Sequence, residues 1–196
     1  MGKTTNCVKA AVFMGNAPCI SQQLKDVPFQ RMNIGTGNSA IYNTVAKMSQ
    51  IVSESSKNPY IRKWAEHIVR SVIPGNKLHE ANAIYLFVRD KTRYLNDPDG
   101  MEYLQTPLYV LQQLEKSIMP SLDCDDSTML SLSLLKSIGF PVAIRIISTN
   151  ASNAYSHVYG LFSVNNVWYP IDCIKRDKPF LWQASNVTRK ETFKVN

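Results

Sequence analysis

Cys124 is the residue in this sequence whose type and surroundings best suit nucleophilic chemistry. Asp123 before it is a common helix N-cap and the run after it is apolar, so the pattern predicts Cys124 in the first turn of a helix. The helix dipole and the N–H groups at that end favour a thiolate. Asp125 and Asp126 oppose this, because their charges raise the pKa of a nearby thiol unless they point away or are paired. The alternative is that Cys124 is a small apolar residue of a core helix.

A histidine and an aspartate lie downstream on two segments that the sequence predicts to form one β-hairpin. Asn165 and Asn166 separate the segments and tolerate the positive φ of a two-residue turn. Such a turn places Tyr159 opposite Asp172, so His157 and Asp172 share one face as diagonal neighbours. Their side chains are then within reach of a hydrogen bond. A three-residue loop would put them on opposite faces.

These three residues together predict a catalytic triad. A histidine held by a carboxylate has a fixed tautomer and a stabilised imidazolium, which suits a base beside a thiol. Cys124 would be the nucleophile, His157 the base and Asp172 the orienting group. Taken singly, His157 could be a half-buried strand residue and Asp172 a turn residue. The combination on a helix and two successive strands favours the triad.

Other ionisable residues are assigned supporting or surface positions. Arg145 lies in an apolar segment, and we predict that it forms an ion pair with Asp125 or Asp126, which would satisfy the guanidinium and relieve the thiolate. His67 and His79 fall on predicted helices and are expected near the surface.

The elements that position the triad follow from hydrophobic periodicity. Residues 1–40 show no helical period and are predicted to be an N-terminal extension of strands or loops, followed by one domain over residues 41–196. Helices followed by strands predict an α+β domain with one antiparallel sheet. Helices are expected at about 40–53, 61–72, 78–91, 106–114 and 123–138, and strands at about 142–147, 156–164 and 167–173.

Composition predicts a folded protein without a metal or cofactor. Apolar residues make up 44% of the 196 residues and charged residues 19%, which is ordinary for a globular chain. No apolar run is long enough to span a bilayer, and the N-terminus does not match a secretory signal. The four cysteines form no C-x-x-C pair and have no clustered histidines, so neither zinc ligation nor a disulfide framework is expected. We therefore expect reduced thiols, a cytoplasmic location and no membrane partner.

The formal net charge of +7 does not by itself predict nucleic-acid binding. Basic residues are spread along the chain, and nucleic acid is not the expected partner. We interpret the densest basic stretch as a solvated surface rather than a polyanion site. It consists of Lys175, Arg176, Lys178, Arg189, Lys190 and Lys194.

Several motifs resemble the transglutaminase-like superfamily, whose fold is related to that of papain. The resemblance covers roughly residues 60–173 and is similar in detail to the small transglutaminase-like proteins of tailed bacteriophages. Leu122 stands where members commonly have Gly, and Cys173 where Pro or a small residue is usual. The motifs are Phe87-Val88-Arg89-Asp90, Asp97-Pro98-Asp99-Gly100, Asp123-Cys124-Asp125-Asp126, Gly139-Phe140-Pro141, Ser156-His157-Val158-Tyr159 and Trp168-Tyr169-Pro170-Ile171-Asp172.

The resemblance implies a papain-like fold and a cysteine protease or related hydrolase or acyltransferase acting on amide bonds of a protein or peptide. Cys124, His157 and Asp172 take the triad roles by this resemblance, and the Cys124 N–H is the first oxyanion donor. Gln105 and Tyr103 are candidates for the second donor. The alternative is a viral structural or host-interaction protein that keeps the fold with little catalysis. Either protein would be expected in the host cytoplasm or associated with the virion.

Overall fold

The computed structural model describes residues 30–32, 38–97, 102–150 and 154–196. Most of the predicted N-terminal extension, including Cys7 and Cys19, lies outside these residues. Three positions of the turn predicted at 96–100 also lie outside them. Within the described part, helices come first and an antiparallel sheet follows, so the mixed helix and sheet architecture predicted from the sequence is confirmed.

Five helices and eight strands make up the described part of the chain. The helices are α1 (Asn38–Ser55), α2 (Pro59–Val69), α3 (Lys77–Lys91), α4 (Pro107–Glu115) and α5 (Cys124–Ser137). The strands are β1 (Gln30–Met32), β2 (Arg93–Tyr94), β3 (Glu102–Leu104), β4 (Ser121–Leu122), β5 (Val142–Ser148), β6 (His157–Val164), β7 (Val167–Ile171) and β8 (Arg189–Val195).

Two helices begin at side-chain caps, and the one at Asp123 confirms the prediction from the sequence. The Thr106 side chain accepts a hydrogen bond from the backbone N–H of Tyr109, with Pro107 as the first residue of α4. Asp123 Oδ1 accepts one from the backbone N–H of Asp126 at 3.0 Å, which fixes Cys124 as the first residue of α5. The local sequence therefore places Cys124 at a helix N-terminus.

The four-stranded sheet has the order β7-β6-β5-β8, with every neighbouring pair antiparallel. Asn165 and Asn166 have φ values of 52° and 65°, as a two-residue hairpin turn of this kind requires. Val164 pairs with Val167 and Gly160 pairs with Ile171, so the predicted hairpin register is confirmed.

The C-terminal part of the basic stretch forms strand β8, which is not among the strands predicted from the sequence, and its lysines are exposed to solvent. The strand pairs with β5 over seven positions, from Val142 with Val195 to Ser148 with Arg189. Lys190 and Lys194 are exposed while Val195 is buried, because side chains alternate along a strand. The lysine side chains are thus on the solvent-exposed side of an edge strand.

Helix α5 is buried on most sides, as its nearly continuous apolar sequence predicts. It packs on β6 and contacts α1, α2 and α3. Gly160 lets it come close to the sheet, because a Cβ built at Gly160 would lie 2.6 Å from Leu132 Cδ2. A short parallel pair of β2 and β4 leads into α5 and holds the chain just before Cys124.

No helix in the described ranges has the length and apolar character needed to cross a membrane.

Candidate functional site

His157 and Asp172 are joined directly. His157 Nε2 lies 2.7 Å from Asp172 Oδ2, and the two side chains are 13% and 6% exposed. A carboxylate only accepts hydrogen bonds, so the shared proton belongs to Nε2 and leaves Nδ1 as the basic nitrogen. The sequence prediction that these two residues are partners is confirmed as a contact, whereas their catalytic roles stay a prediction.

Tyr159 supports the His157 ring from the next position on the same face of β6. The two rings are stacked, with centroids 5.8 Å apart and planes inclined by 28°. The Tyr159 hydroxyl is buried, which raises the pKa of the phenol, and the guanidinium of Arg145, its cross-strand partner, opposes that rise. The stacked ring next to His157 is a feature of the site that was not predicted from the sequence.

The predicted ion pair of Arg145 with Asp125 or Asp126 is wrong. Arg145 Nε donates a hydrogen bond to Thr192 Oγ1 of β8 at 3.0 Å. The reason is the alternation of β5, which buries its neighbours Ile144 and Ile146 in the core that includes α5 and turns Arg145 to the opposite face.

Cys124 contacts the sheet at the backbone of β6. The backbone N–H of Val158, the residue after His157, is close enough to the sulfur to oppose the rise in the pKa of the thiol. The thiol itself lies 3.4 Å from Asp125 Oδ1 and donates to it. Cys124 is thus held between the sheet and the first turn of its own helix.

The local electrostatics oppose a thiolate. Burial raises the pKa of Cys124, and the negative charges of Asp125 and Asp123 raise it further, against the smaller effect of the Val158 N–H. The sequence analysis named Asp125 and Asp126 as the opposing charges, but the structure assigns the effect to Asp125 and Asp123. The helix N-terminus therefore does not by itself produce a low-pKa cysteine here.

Gln105 is engaged elsewhere and is unsuited to the role of second oxyanion donor. Its backbone N–H and side-chain Nε2 donate to Asp126 Oδ1 and Oδ2, each at 2.7 Å, and Nε2 also donates to the Ser121 carbonyl at 2.7 Å. Burial, and next the charge of Asp123, raise the pKa of Asp126 to about 8 despite these bonds. The Tyr103 backbone N–H donates to Asp97, and a role for its hydroxyl stays a prediction.

Cys124 lies near the pair of His157 and Asp172 but is not hydrogen-bonded to the His157 ring. Val158 and Gly160 face α5, so His157 lies by alternation on the other face of β6. Among the hydrogen bonds of the described residues, none joins the thiol to the imidazole. The structure therefore brings His157 and Asp172 together and leaves Cys124 beside the peptide unit between His157 and Val158.

No metal site is found in the described part of the chain, where no three His, Cys, Asp or Glu side chains are grouped to hold an ion. Cys173, which follows Asp172, is buried and interacts with Ser131 and Ser127 of α5. Its position fastens the end of the hairpin to the nucleophile helix.

Comparison with known proteins gives structural neighbours only. No family model matches the sequence, and no curated protein matches it. A provisionally assigned cysteine protease from Cytophaga hutchinsonii superimposes with a TM-score of 0.49 and 11% identity over 77% of this chain and 45% of its own. A provisionally assigned protease from Parabacteroides distasonis gives 0.49 and 11% over 66% of this chain and 26% of its own. The chain spans less than half the length of each neighbour, so the roles of its residues are argued from their own geometry.

Proposed function

We propose that the protein is a cysteine-dependent hydrolase of peptide or isopeptide bonds that uses Cys124, His157 and Asp172. The observation that supports this best is the 2.7 Å contact between His157 and Asp172. The peptide unit that follows His157 lies beside the Cys124 sulfur. A buried histidine oriented by a carboxylate next to a thiol at a helix N-terminus is the arrangement that acyl transfer requires.

The first step is attack by sulfur on the amide carbonyl. Cys124 Sγ bonds to the carbonyl carbon while its proton passes to His157 Nδ1, and Asp172 stabilises the resulting imidazolium through Nε2–H. The imidazolium then returns the proton to the departing amine as the C–N bond breaks. Water resolves the thioester, with Nδ1 taking the water proton and restoring it to sulfur.

The negative oxygen formed during attack needs donors at the first turn of α5. Cys124 is the first residue of the helix, where backbone N–H groups have no partner within the helix. Its N–H is therefore the donor we propose for the oxyanion.

Activation of the thiol requires a change in its hydrogen bonding. In the resting arrangement the thiol donates to Asp125, and burial and the neighbouring carboxylates keep it protonated. We propose that substrate binding turns the Cys124 side chain from Asp125 toward His157, so that general-base transfer replaces a preformed thiolate.

Alkylation by iodoacetamide tests the proposal. Cys173 is a matched control in the same protein, because burial also raises the pKa of its thiol. We expect mass spectrometry to find Cys124 modified faster than Cys173, and we expect His157→Ala to slow the Cys124 reaction at least about tenfold. Slow labelling of both thiols in the resting protein, combined with peptide cleavage that is absent or unchanged in Cys124→Ser and His157→Ala, would rule the proposal out.

Hydrolysis and cross-linking are separated by a second assay. Fluorescent casein is incubated with the protein in the presence and absence of a dansylated primary amine. Release of casein fragments with no incorporated dansyl group supports the hydrolase. Dansylation that requires Cys124 would instead identify a transglutaminase.

A second candidate function is supported by one observation. The protonated, Asp125-bound state of Cys124 suits a protein that keeps the transglutaminase-like scaffold for binding, as a phage structural or host-interaction protein would. Absence of cleavage, together with labelling that does not depend on His157, would favour this candidate.

A further inference from the structure

Beside the candidate triad lies a shallow cleft that is open to solvent. Its lining includes Tyr94 and Leu122 of the parallel strand pair that leads into Cys124, and Cys173 and Arg176, which follow Asp172. The cleft is therefore bordered by the chain segment that carries the proposed nucleophile and by the segment that carries the proposed orienting carboxylate. Because it is shallow, it suits one small group at its mouth.

Three arginines line this cleft, and no acidic residue does. They are Arg89 at the end of α3, Arg93 of β2 and Arg176. Arg176 belongs to the dense basic stretch that the sequence analysis interpreted as a solvated surface. Like charges assembled around a cleft repel one another, and an anion relieves that repulsion.

Among the described residues, two of the three guanidinium groups donate hydrogen bonds only to neutral acceptors, although the charge of Arg176 also helps to lower the pKa of Asp90. Arg93 Nε donates to Ser121 Oγ at 2.7 Å, and Arg176 Nη2 donates to the backbone carbonyl of Arg89. Arg89 is paired with Asp90, with Nε 2.7 Å from Oδ1, and lies over the Tyr85 ring. An arginine has five N–H donors, so one bond each leaves Arg93 and Arg176 with donors for a ligand.

Tyr94 connects the cleft to the nucleophile. Tyr94 pairs with Leu122, two residues before Cys124, in the parallel strand pair, and burial and the charges of Cys124 and Asp123 raise the pKa of its phenol. Tyr94 is also 46% exposed, so it forms an accessible rim between the cleft and Cys124.

We propose that this arginine cleft binds a carboxylate of the substrate, so that Cys124 acts on amide bonds close to an acidic side chain or to a chain terminus. That the carboxylate belongs to a substrate rests on the proposed function, but binding of a carboxylate in the cleft does not depend on catalysis. Guanidinium groups bind carboxylates through paired, charge-assisted hydrogen bonds, which neutral amides cannot replace.

Binding is measured by titrating blocked tripeptides into isotope-labelled protein at low ionic strength and following the backbone amide signals of Tyr94, Cys173 and Ile174. One pair of peptides has a central aspartate or asparagine with both ends blocked. A second pair consists of a trialanine with a free or an amidated C-terminus. We expect the signals to move with a carboxylate peptide and not with its neutral counterpart. The pair that responds shows whether the carboxylate belongs to a side chain or to a terminus.

Substitutions connect the response to the arginines. Arg93→Gln and Arg176→Gln are each expected to weaken binding about tenfold, and Arg93→Lys less, since it keeps the charge. Arg62→Gln is the matched control, because Arg62 is an exposed residue of α2 outside the cleft. Circular dichroism checks that each variant is folded, and the lysine variant provides the test if the glutamine variant is not.

The proposal is overturned if neither carboxylate peptide moves these signals, if neutral peptides move them equally, or if the cleft variants bind as well as Arg62→Gln. Failure of the proposed function would be recorded separately, by peptide cleavage that is absent or unchanged in Cys124→Ser and His157→Ala. A carboxylate that binds the cleft of a catalytically silent protein would therefore leave this inference standing.

Discussion

The hairpin half and the helix half of the candidate site differ in how completely they are prepared for chemistry. On the hairpin, the sheet register, the Asp172 carboxylate and the stacked Tyr159 ring all fix His157 in one orientation. On the helix, Cys124 is equally well positioned by its cap, but burial and two carboxylates keep its thiol protonated.

The difference indicates which side chain must rearrange before the proposed reaction. Under the proposed function, His157 is ready to act as the base in the resting protein, whereas the Cys124 thiol must leave Asp125 before it can transfer its proton. A preorganised base combined with a restrained thiol limits unwanted oxidation and alkylation, because the thiolate is the reactive form. Reaction would then depend on a substrate that rearranges the first turn of α5.

The largest expected effect comes from breaking the hairpin half. In Asp172→Asn the amide can donate to Nε2, which moves the ring proton to Nδ1 and removes the base. We expect amide cleavage to fall by about 10³-fold with little change in secondary structure. The measurement is the initial rate of casein hydrolysis with circular dichroism on the same sample.

The matched control for this loss is Asp177→Asn, which makes the same change at an exposed aspartate that pairs with Lys178. Full activity in Asp172→Asn would show that the carboxylate does not orient the histidine.

A smaller effect is expected from a substitution that disturbs the packing of α5 on the sheet. In Gly160→Ala the new methyl would lie 2.6 Å from Leu132 Cδ2 and 2.9 Å from Ile171 Cγ2, so these side chains or α5 itself must shift. We expect the free energy of unfolding to drop by about 1–3 kcal/mol, measured by urea denaturation.

Leu132→Val provides the test of mechanism, because it removes the Cδ atoms that the new methyl would meet. In that background Gly160→Ala should cost less than in the natural sequence, as expected for contacting residues. Additive losses would show that the close approach of α5 is not the cause.

Removing a negative charge beside Cys124 should raise the reactivity of its thiol. Asp125→Asn removes the nearest negative charge, so the pKa of Cys124 falls and the thiolate fraction at a given pH rises. We expect alkylation of Cys124 at pH 7.5 to become about tenfold faster, which corresponds to about one pKa unit. The rate profile against pH should shift toward lower pH.

An exposed control such as Asp177→Asn should leave that profile where it is. A profile for Asp125→Asn that coincides with the natural one would show that burial alone restrains the thiol.

The smallest effect concerns the Tyr159 hydroxyl. Because this buried hydroxyl interacts with Arg145 on the neighbouring strand, Tyr159→Phe should lower the free energy of unfolding by no more than about 1 kcal/mol, the usual value of one hydrogen bond. Tyr159→Leu, which removes the stacked ring, should lower activity at unchanged expression. Loss of activity in Tyr159→Phe would instead assign the hydroxyl a role.

The hairpin half was predictable because its determinants are local. Asn165 and Asn166 specify the turn, and strict alternation then places His157 and Asp172 on one face. The caps of α4 and α5 were predictable for the same reason, since Thr106 and Asp123 each satisfy an N–H within three residues.

The remaining features depend on contacts between distant positions. β8 pairs with β5, and the Arg145 side chain finds Thr192 at a separation of 47 positions, which no local pattern reveals. The alternation of polar and apolar residues from Thr192 to Val195 was a usable but short signal for a strand, and the neighbouring basic residues resembled a solvated segment. The pKa of Cys124 depends on which carboxylate points at the sulfur, and a sequence does not contain that orientation.

The lysines of β8 have a further consequence for the behaviour of the protein in concentrated solution. β7 and β8 are the two edges of the four-stranded sheet, and an exposed edge can recruit a strand from another molecule. Pro170 interrupts hydrogen bonding along β7, and Lys190 and Lys194 project from β8. Both edges therefore resist intermolecular strand addition, so these basic residues protect the folded chain from aggregation.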